Sequence, residues 1–312
     1  MNLDSMKDIL AAARREDKPL WEIILETDME NRGVTREESM EKMAQAWHAM
    51  LDASTSYDGR RHSASGLVGG QGEQMRAYAA GDPICGNFAA EVITEALCMG
   101  ESNACMRRIV AAPTAGACGV MPAVLIPLYR RDNISEERML QAMYVASGIG
   151  AVIAYKACIP GAAGCCQAEI GSASAMAAGA LVTLRGGTAE QVCHAVAMAL
   201  KNLLGLVCDP VAGLVEVPCV KRNVIGAMNA MAAADMALAG IESRIPVDEV
   251  IDAMGDVGRR LPVEFRETAL GGLAVTPTGK AVKERMMGSR NKNRTLTIKD
   301  ARWKLQRTGP AN

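Results

Sequence analysis

The chain has 312 residues, with 34 basic and 35 acidic side chains and ten cysteines. This length allows one large or two ordinary domains with a sizeable core, and the balanced charge gives no field that would draw the chain to nucleic acid or to an acidic membrane surface. The first residues, MNLDSMKDILAAARRED, include acids and no continuous apolar run, unlike a signal peptide. We therefore expect a cytoplasmic protein with reduced thiols.

The composition and the helix-start signals favour helices. Hydrophobic residues make up 49% of the chain but aromatic residues only 3%, so Ala, Leu, Val, Ile and 20 Met must fill the core. Capping boxes begin at Thr35 and Thr188, and Ser135 is followed by two acids. No alternating pattern of a strand is convincing. We predict an all-α fold, a multi-helix catalytic domain with functional loops between helices.

Three segments bear on the domain organisation. Residues 52–84 are polar and Gly-rich, which predicts a loop region within a single domain over 1–287. From residue 288 onward the chain has seven basic residues and one acid, which predicts a solvated tail over 288–312. The most apolar stretch, 143–166, carries Lys156 and Pro160, which favours a buried helix and loop over a membrane span.

Most of the usual catalytic residue sets are missing. There is no H-x-x-x-H, C-x-x-C, P-loop or G-x-S-x-G motif. GLVGGQG lacks the Lys-Ser/Thr end and the preceding strand of a phosphate loop. A nucleotide or nicotinamide enzyme is therefore disfavoured. Of the three histidines, His48 and His194 fall in helical patterns, and only His62 lies in the polar region, where it is a candidate general base.

The cysteines divide into two groups. Six lie in or beside apolar helical patterns, where a small buried hydrophobe is the commoner role: Cys85, Cys98, Cys105, Cys118, Cys158 and Cys193. Cys165, Cys166, Cys208 and Cys219 lie in stretches broken by Gly and Pro, GAAGCCQ and CDPVAGLVEVPC. Thiolates on loops can converge on a metal, and sulfur ligands suit zinc or an iron–sulfur cluster. The spacing is not a recognised ligand pattern, so buried thiols remain the alternative.

Two further segments have the features of an anion site. In AAPTAGACGVMPAVL, Thr114 can cap a helix, and the small residues Ala115 and Gly116 leave the first N–H groups open to a carboxylate. A tight helix–helix crossing is the alternative explanation for these small residues. Lys221 and Arg222 follow the second cysteine stretch, where they either are solvated or hold an anionic substrate.

Five long strings together resemble a known family: APTAGACGVMPAVL, GAAGCCQAEIGSASAMAAG, LKNLLGLVCDPVAGLVEVPCVKRN, AADMALAGIESRIPVDEVIDAMG and RETALGGLAVTPTG. They are similar to the α chain of the iron–sulfur-dependent L-serine dehydratases (L-serine ammonia-lyases) of bacteria. The resemblance runs from about residue 5 to residue 287. It implies an oxygen-labile [4Fe–4S] cluster, no pyridoxal phosphate and an all-helical catalytic domain.

The resemblance implies which thiols hold the cluster. Carried over by position, the ligands are Cys166, Cys208 and Cys219. Cys166 keeps the register of a family motif that ends at Gly171, whereas Cys165 occupies a position that is usually glycine. Three thiolates with no obvious fourth would leave one iron open to act as a Lewis acid on a substrate oxygen.

The resemblance also implies roles for the anion site. L-serine would be dehydrated to aminoacrylate, which becomes pyruvate and ammonia. Thr114–Gly116, with Lys221 or Arg222, would hold the carboxylate. His62 or a residue of a β chain would be the base. Glu169 would support the cluster or simply be an acid in the first turn of a helix.

Members of this family occur as one fused chain or as separate α and β chains. Because no β domain precedes residue 1, we expect a separate β chain and an oligomeric enzyme. Two other functions are compatible with the same residues. One is a lyase that uses the cluster domain on another amino acid, such as a cysteine desulfidase. The other is a non-catalytic iron–sulfur redox or sensor module.

Overall fold

The computed structural model describes residues 4–157 and 159–288. The chain order of its α-helices is α1 (Met6–Glu16), α2 (Leu20–Arg32), α3 (Arg36–Thr55), α4 (Gln71–Ala79), α5 (Gly86–Ala104), α6 (Val120–Asp132), α7 (Glu136–Lys156), α8 (Gly161–Leu184), α9 (Ala189–Lys201), α10 (Cys219–Leu238) and α11 (Val247–Arg260). Residues 277–288 are also helical. Within the described ranges no strand occurs, and the prediction of an all-α fold is confirmed.

The helix starts follow the signals in the sequence. The hydroxyl of Thr35 accepts from the N–H of Glu38, and the Glu38 carboxylate accepts from the N–H of Thr35 at 2.9 Å. Thr188 and Gln191 form the second capping box, and the Ser135 side chain caps α7. Each box satisfies two N–H groups that a helix start would otherwise leave without partners.

Helix α8 is the centre of the core. It packs against α6, α7, α9, α10 and α11, and most of its residues are buried. Two glycines allow neighbouring helices to pack closely. A Cβ on Gly179 of α8 would lie 2.2 Å from Cδ1 of Ile149 on α7, and one on Gly226 of α10 would lie 2.8 Å from Cγ2 of Val120 on α6. A larger residue at either position would require the facing side chain or the helix to shift.

The apolar stretch at 143–166 forms the end of α7 and the start of α8, as predicted. Among the described residues, no helix combines the length and the apolar character needed to cross a membrane. Cys158 and residues 289–312, which make up nearly all of the predicted tail, lie outside the described residues.

The predicted loop region at 52–84 contains more helix than expected. Helix α3 continues to Thr55, and α4 occupies Gln71–Ala79, so the prediction of irregular chain was wrong there. The cap of α4 comes from a distant residue: Glu101 on α5 accepts from the first two N–H groups of α4, at 2.7 and 3.2 Å. Gly72 sits inside α4 because a Cβ there would lie 2.6 Å from a sulfur atom of α5. Glycine therefore marks close packing here, not a helix end.

One cysteine of the helical group was wrongly predicted to be buried. Cys85 is exposed because it precedes α5 as its N-cap residue, outside the packed face of the helix. Cys105, at the other end of α5, is partly exposed, and Cys98, Cys118 and Cys193 are buried as predicted.

Candidate metal centre

The start of α8 presents Cys166 at a kink. Cys165 has φ 65° and ψ −176°, which separates the first turn of α8 from the long helix that follows. Gln167 fixes the end of the long helix. Its N–H donates to the carbonyl of Leu206 at 3.0 Å, and its side-chain oxygen accepts from the N–H of Gly205 at 2.8 Å. Cys166 is thereby tied to the segment that leads to the second pair of cysteines.

The cysteine loop (residues 208–218) joins Cys208 to Cys219, which is the first residue of α10. The backbone of Cys208 is held on both sides. Its N–H donates to the carbonyl of Phe265 at 2.8 Å, and its carbonyl accepts from the N–H of Glu267 at 3.0 Å. The thiols of Cys208 and Cys219, like that of Cys166, are buried.

Helix α8 and the cysteine loop, which are distant in sequence, converge here. The sulfur atoms of Cys166 and Cys208 and a carboxylate oxygen of Glu169 lie within 4.8 Å of one another. Burial, and next the negative charge on Cys166, raise the pKa of Cys219 to about 12. The charge of Cys166 thus affects the thiol of Cys219. Among the described residues, however, Cys219 does not belong to the close group of Cys166, Glu169 and Cys208.

Arg222 gives the group a fixed positive charge. Its Nη1 donates to the sulfur of Cys166 at 3.3 Å, and its Nη2 lies 2.9 Å from Oδ1 of Asp209. Asp209 is fixed in turn by the N–H of Leu273, which donates to Oδ2 at 2.8 Å. The pKa of Cys166 is lowered, first by the hydrogen bond with Cys208 and then by the charge and hydrogen bond of Arg222. The site therefore favours a thiolate at Cys166, the form that binds metals.

The turn at Thr114–Gly116 lies against Glu169. A Cβ on Gly116 would be 3.3 Å from Oε1 of Glu169. Asn223 ties this turn to the start of α10, because its Nδ2 donates to the carbonyls of Gly116 and Cys219, each at 2.9 Å. Because residue 116 is glycine, there is room beside the Glu169 carboxylate. The turn therefore lies next to the group formed by Cys166, Cys208 and Glu169.

The helix start expected at this turn differs in form. Residues Ala115–Ala117 make a short 3₁₀ turn, and α6 begins only at Val120. Thr114 does not cap it. Asn223 takes that place from the neighbouring helix, since its Oδ1 accepts from the N–H of Gly119 at 2.8 Å. The Thr114 hydroxyl is buried and has no hydrogen-bond partner among the described residues.

Glu169 is a half-buried carboxyl between the thiols and this turn. Burial raises its pKa, the nearby Thr114 hydroxyl opposes this shift, and the charge of Glu267 adds to it. The space around it is narrow: a Cβ on Gly161 would lie 2.7 Å from Oε2 of Glu169 and 2.9 Å from Oε2 of Glu267. A carboxyl whose pKa is raised toward neutrality is suited to proton transfer.

Two of the residues proposed from the sequence make their described hydrogen bonds away from the thiols. His62 is exposed, with Nδ1 3.2 Å from the carbonyl of Arg60. Lys221 is also exposed, and its Nζ donates to Oε1 of Gln71 at 3.0 Å. Within the described part of the chain, none of these hydrogen bonds joins them to the three thiols, whereas Arg222 contacts Cys166 directly.

Three polar residues that support the site were not predicted from the sequence: Asp209, Glu216 and Asn223. Buried Glu216 accepts from the hydroxyls of Ser63, at 2.8 Å, and Ser65, and thereby fastens residues 63–65 to the cysteine loop. A signal was present, because these polar residues stand inside, or one helical turn after, a cysteine-containing stretch that is otherwise largely apolar.

Comparisons with known proteins identify the family. The family model described as serine dehydratase alpha chain matches residues 15–274. The chain belongs to this family. The probable L-serine dehydratase α chain of Bacillus subtilis (strain 168) is 44% identical over 294 residues, which are 94% of this chain and 98% of that one. The L-serine dehydratase α chain of Peptoniphilus asaccharolyticus is 41% identical over 286 residues, 90% and 97% of the two chains.

A relative with a longer chain matches a shorter segment of this protein. L-serine dehydratase 1 of Escherichia coli (strain K12) is 43% identical over 182 residues, 58% of this chain and 40% of that protein. The resemblance to serine dehydratase α chains seen in the five sequence strings is thus confirmed.

The residues of this serine dehydratase α chain fit a metal bound through sulfur. Cys166, Cys208 and Cys219 are soft donors, Glu169 offers a carboxylate, and Arg222 balances the negative charge of the thiolates. Thiolates suit iron–sulfur clusters and zinc rather than the hard cations magnesium and calcium. The centre could therefore bind a metal group of the soft class.

Proposed function

We propose that the chain is the catalytic α subunit of an iron–sulfur L-serine dehydratase that needs no pyridoxal phosphate. One observation carries the proposal: the sulfur atoms of Cys166 and Cys208 and a carboxylate oxygen of Glu169 lie within 4.8 Å of one another, in a chain of the serine dehydratase α family. The first thiol also receives a hydrogen bond from the buried guanidinium of Arg222.

The ligands of the [4Fe–4S] cluster would be Cys166, Cys208 and Cys219. When bound, the cluster would supply a Lewis-acidic iron that polarises the C–O bond of serine. Arg222 would keep Cys166 ionised and oriented, with Asp209 holding the guanidinium in place. We assign Arg222 to this supporting role and not to the substrate carboxylate, because both of its Nη atoms are already engaged.

The substrate would bind between the thiols and the turn at Thr114–Gly116. The unpartnered hydroxyl of Thr114 can donate to the carboxylate of serine, and the missing side chain at Gly116 leaves room for it beside Glu169. A carboxylate oxygen of Glu169 would take the α-proton. Loss of this proton and of the β-hydroxyl as water gives aminoacrylate, which tautomerises to the imine and hydrolyses to pyruvate and ammonia.

A separate β chain would complete the enzyme. The relatives from B. subtilis and P. asaccharolyticus, which cover nearly this whole chain, are both described as α chains. Their names support an assembly of two kinds of subunit here. Some groups that the site needs to close over serine would then come from the β chain.

The test is an activity assay on the assembled enzyme. The α chain is purified without oxygen together with a β chain, and pyruvate release is measured with L-serine, L-threonine and L-cysteine in parallel. We expect turnover of L-serine that pyridoxal phosphate does not increase. Faster release of sulfide from cysteine would favour a cysteine desulfidase, and a reversible cluster without turnover would favour a sensor. Stimulation by pyridoxal phosphate would contradict the mechanism.

A further inference from the structure

A second cleft lies between α4, α5 and α6. Its volume is about 570 Å³, which is within the range of small-molecule sites. Its charged lining comes from three helices: Arg76 on α4, Glu91 and Glu95 on α5, and Arg130 and Arg131 on α6. None of these residues belongs to the candidate metal centre, so the mechanism proposed above gives the cleft no role.

Glu95 is the unusual residue of this cleft. It is only 7% exposed, and its Oε1 has no hydrogen-bond partner among the described residues. A buried carboxyl oxygen without a partner destabilises the fold. Burial raises the pKa of Glu95, while a hydrogen bond with Ser54 and the charges of Arg130 and Arg76 act in the opposite direction. An incoming cationic donor would satisfy the oxygen that the protein leaves without a partner.

Two arginines of the cleft contact aromatic rings, and the third, Arg130, donates from Nη2 to the hydroxyl of Ser54 at 3.3 Å. The guanidinium of Arg131 lies 3.8 Å from the ring centroid of Phe88, and that of Arg76 lies 5.8 Å from the ring centroid of Tyr57. Such contacts restrict the long side chains. Positive groups on α4 and α6 therefore stand close to a carboxyl group on α5, and the cleft offers opposite charges to one ligand.

We propose that this cleft binds a small zwitterion, an α-amino acid or a compound that carries its ammonium and carboxylate groups. The ammonium would contact Glu95, and the carboxylate would contact Arg130, because Arg76 is already paired with Glu73. A simple anion would leave the Glu95 oxygen without a donor, and a simple cation would face the arginines. Only a ligand with both charges matches both sides of the cleft. The inference does not rest on the proposed dehydratase activity.

A ligand bound in the cleft would affect the metal centre through the packing of helix α5. Helix α5, which carries Glu91 and Glu95, packs against α10, whose first residue is Cys219. A ligand that joins α5 to α4 and α6 would brace this helix against the start of α10. The cleft would then be a binding site for an effector amino acid.

The test is a calorimetric titration of the full-length chain with L-alanine, which has no hydroxyl to lose. We expect saturable binding that weakens at least about tenfold, or about 1.4 kcal/mol, in Glu95→Gln and in Arg130→Gln. Glu41→Gln removes an exposed carboxylate on α3 and should leave the dissociation constant unchanged. Alanine bound at the metal centre instead would be insensitive to Glu95→Gln.

Analogues test the charges without altering the protein. Propanoate lacks the ammonium group and ethylamine lacks the carboxylate, so each should bind the unaltered chain at least about tenfold more weakly than L-alanine. Propanoate that binds as well as L-alanine would overturn the assignment of a zwitterion. The site itself would be refuted by the absence of saturable alanine binding, or by equal binding to the unaltered chain and Glu95→Gln. Thermal unfolding of each variant checks that it is folded.

Discussion

The core thiols, Cys118 and Cys193, and the two site thiols Cys166 and Cys208 are all almost completely buried. Their surroundings nevertheless differ at Cys166. Burial raises the pKa of Cys118 and of Cys193 to about 12. The pKa of Cys166 is lowered instead, because Cys208 and Arg222 stabilise its charge, whereas the hydrogen bond with Cys166 and burial raise the pKa of Cys208. Burial alone therefore does not fix the pKa of a thiol; at Cys166 a second thiol and a fixed cation outweigh it.

The backbone differs as well. Cys193 lies within the regular helix α9, whereas the site thiols stand at a kink, in a loop and at a helix start. A regular helix directs a cysteine toward one packed neighbour. Irregular backbone at Cys166 and Cys208 lets two segments that are distant in sequence bring their sulfur atoms together.

Removing one site thiol and one core thiol tests the difference between them most strongly. We expect Cys208→Ala to abolish the visible absorbance of anaerobically purified protein and to reduce serine turnover below detection, because a ligand is lost. Cys193→Ala should keep both properties and lower the free energy of unfolding by only about 1 kcal/mol. Loss of absorbance in both variants, or in neither, would show that the two groups of thiols do not differ as described.

Glu169 provides the next largest expected effect. Glu169→Gln keeps the size of the side chain but cannot take a proton, so serine turnover should fall by about 10²-fold or more while the iron content is unchanged. His62→Gln serves as the matched control, because His62 is exposed and its ring bonds only to local backbone in the contacts described. If His62→Gln causes the larger loss, the base is the histidine that the sequence first suggested.

Arg222 and its neighbour Lys221 form a matched pair of cations. Arg222→Gln should lower iron occupancy and turnover together by about 10- to 100-fold, because Cys166 and Asp209 lose their shared partner. Lys221→Gln should change neither by more than about twofold, since Nζ of Lys221 bonds to Gln71. A raised KM in Lys221→Gln would instead support the role in carboxylate binding predicted from the sequence.

The smallest effect is expected at Cys165. Its φ of 65° suits glycine better than cysteine. Cys165→Gly should therefore relieve about 1 kcal/mol of backbone strain, which offsets about the same loss from the missing buried side chain. The visible spectrum should be unchanged, whereas Cys166→Gly should lose it. A bleached Cys165→Gly protein would move the ligand assignment to the neighbouring cysteine.

The sequence was sufficient for the fold class and for the family because both depend on local patterns. Capping boxes at Thr35 and Thr188 and the near absence of strand patterns predicted the helices correctly. The conformation of 52–84 was not predictable in this way. Helix α4 depends on Glu101, which is thirty residues away from the N–H that it caps, and glycine in that segment reflects packing against α5.

The sequence predicted two cysteines that the structure brings together, Cys166 and Cys208, but not the residues that support them. Cys166, Cys208 and Cys219 could be named from long strings that carry the family pattern. The buried ion pair of Arg222 with Asp209, and the bonds of Asn223 to two turns, arise only when the start of α10 meets segments near residues 116 and 209. Side chains that act across such contacts leave no spacing rule in the chain.

The most direct measurement is the metal and sulfide content of the protein purified without oxygen. The three-thiol centre predicts about four iron atoms and about four acid-labile sulfides per chain, lost in Cys166→Ala and retained in Cys118→Ala. Zinc in place of iron, or an iron content that is the same in both variants, would contradict the central claim that these loop thiols hold a cluster.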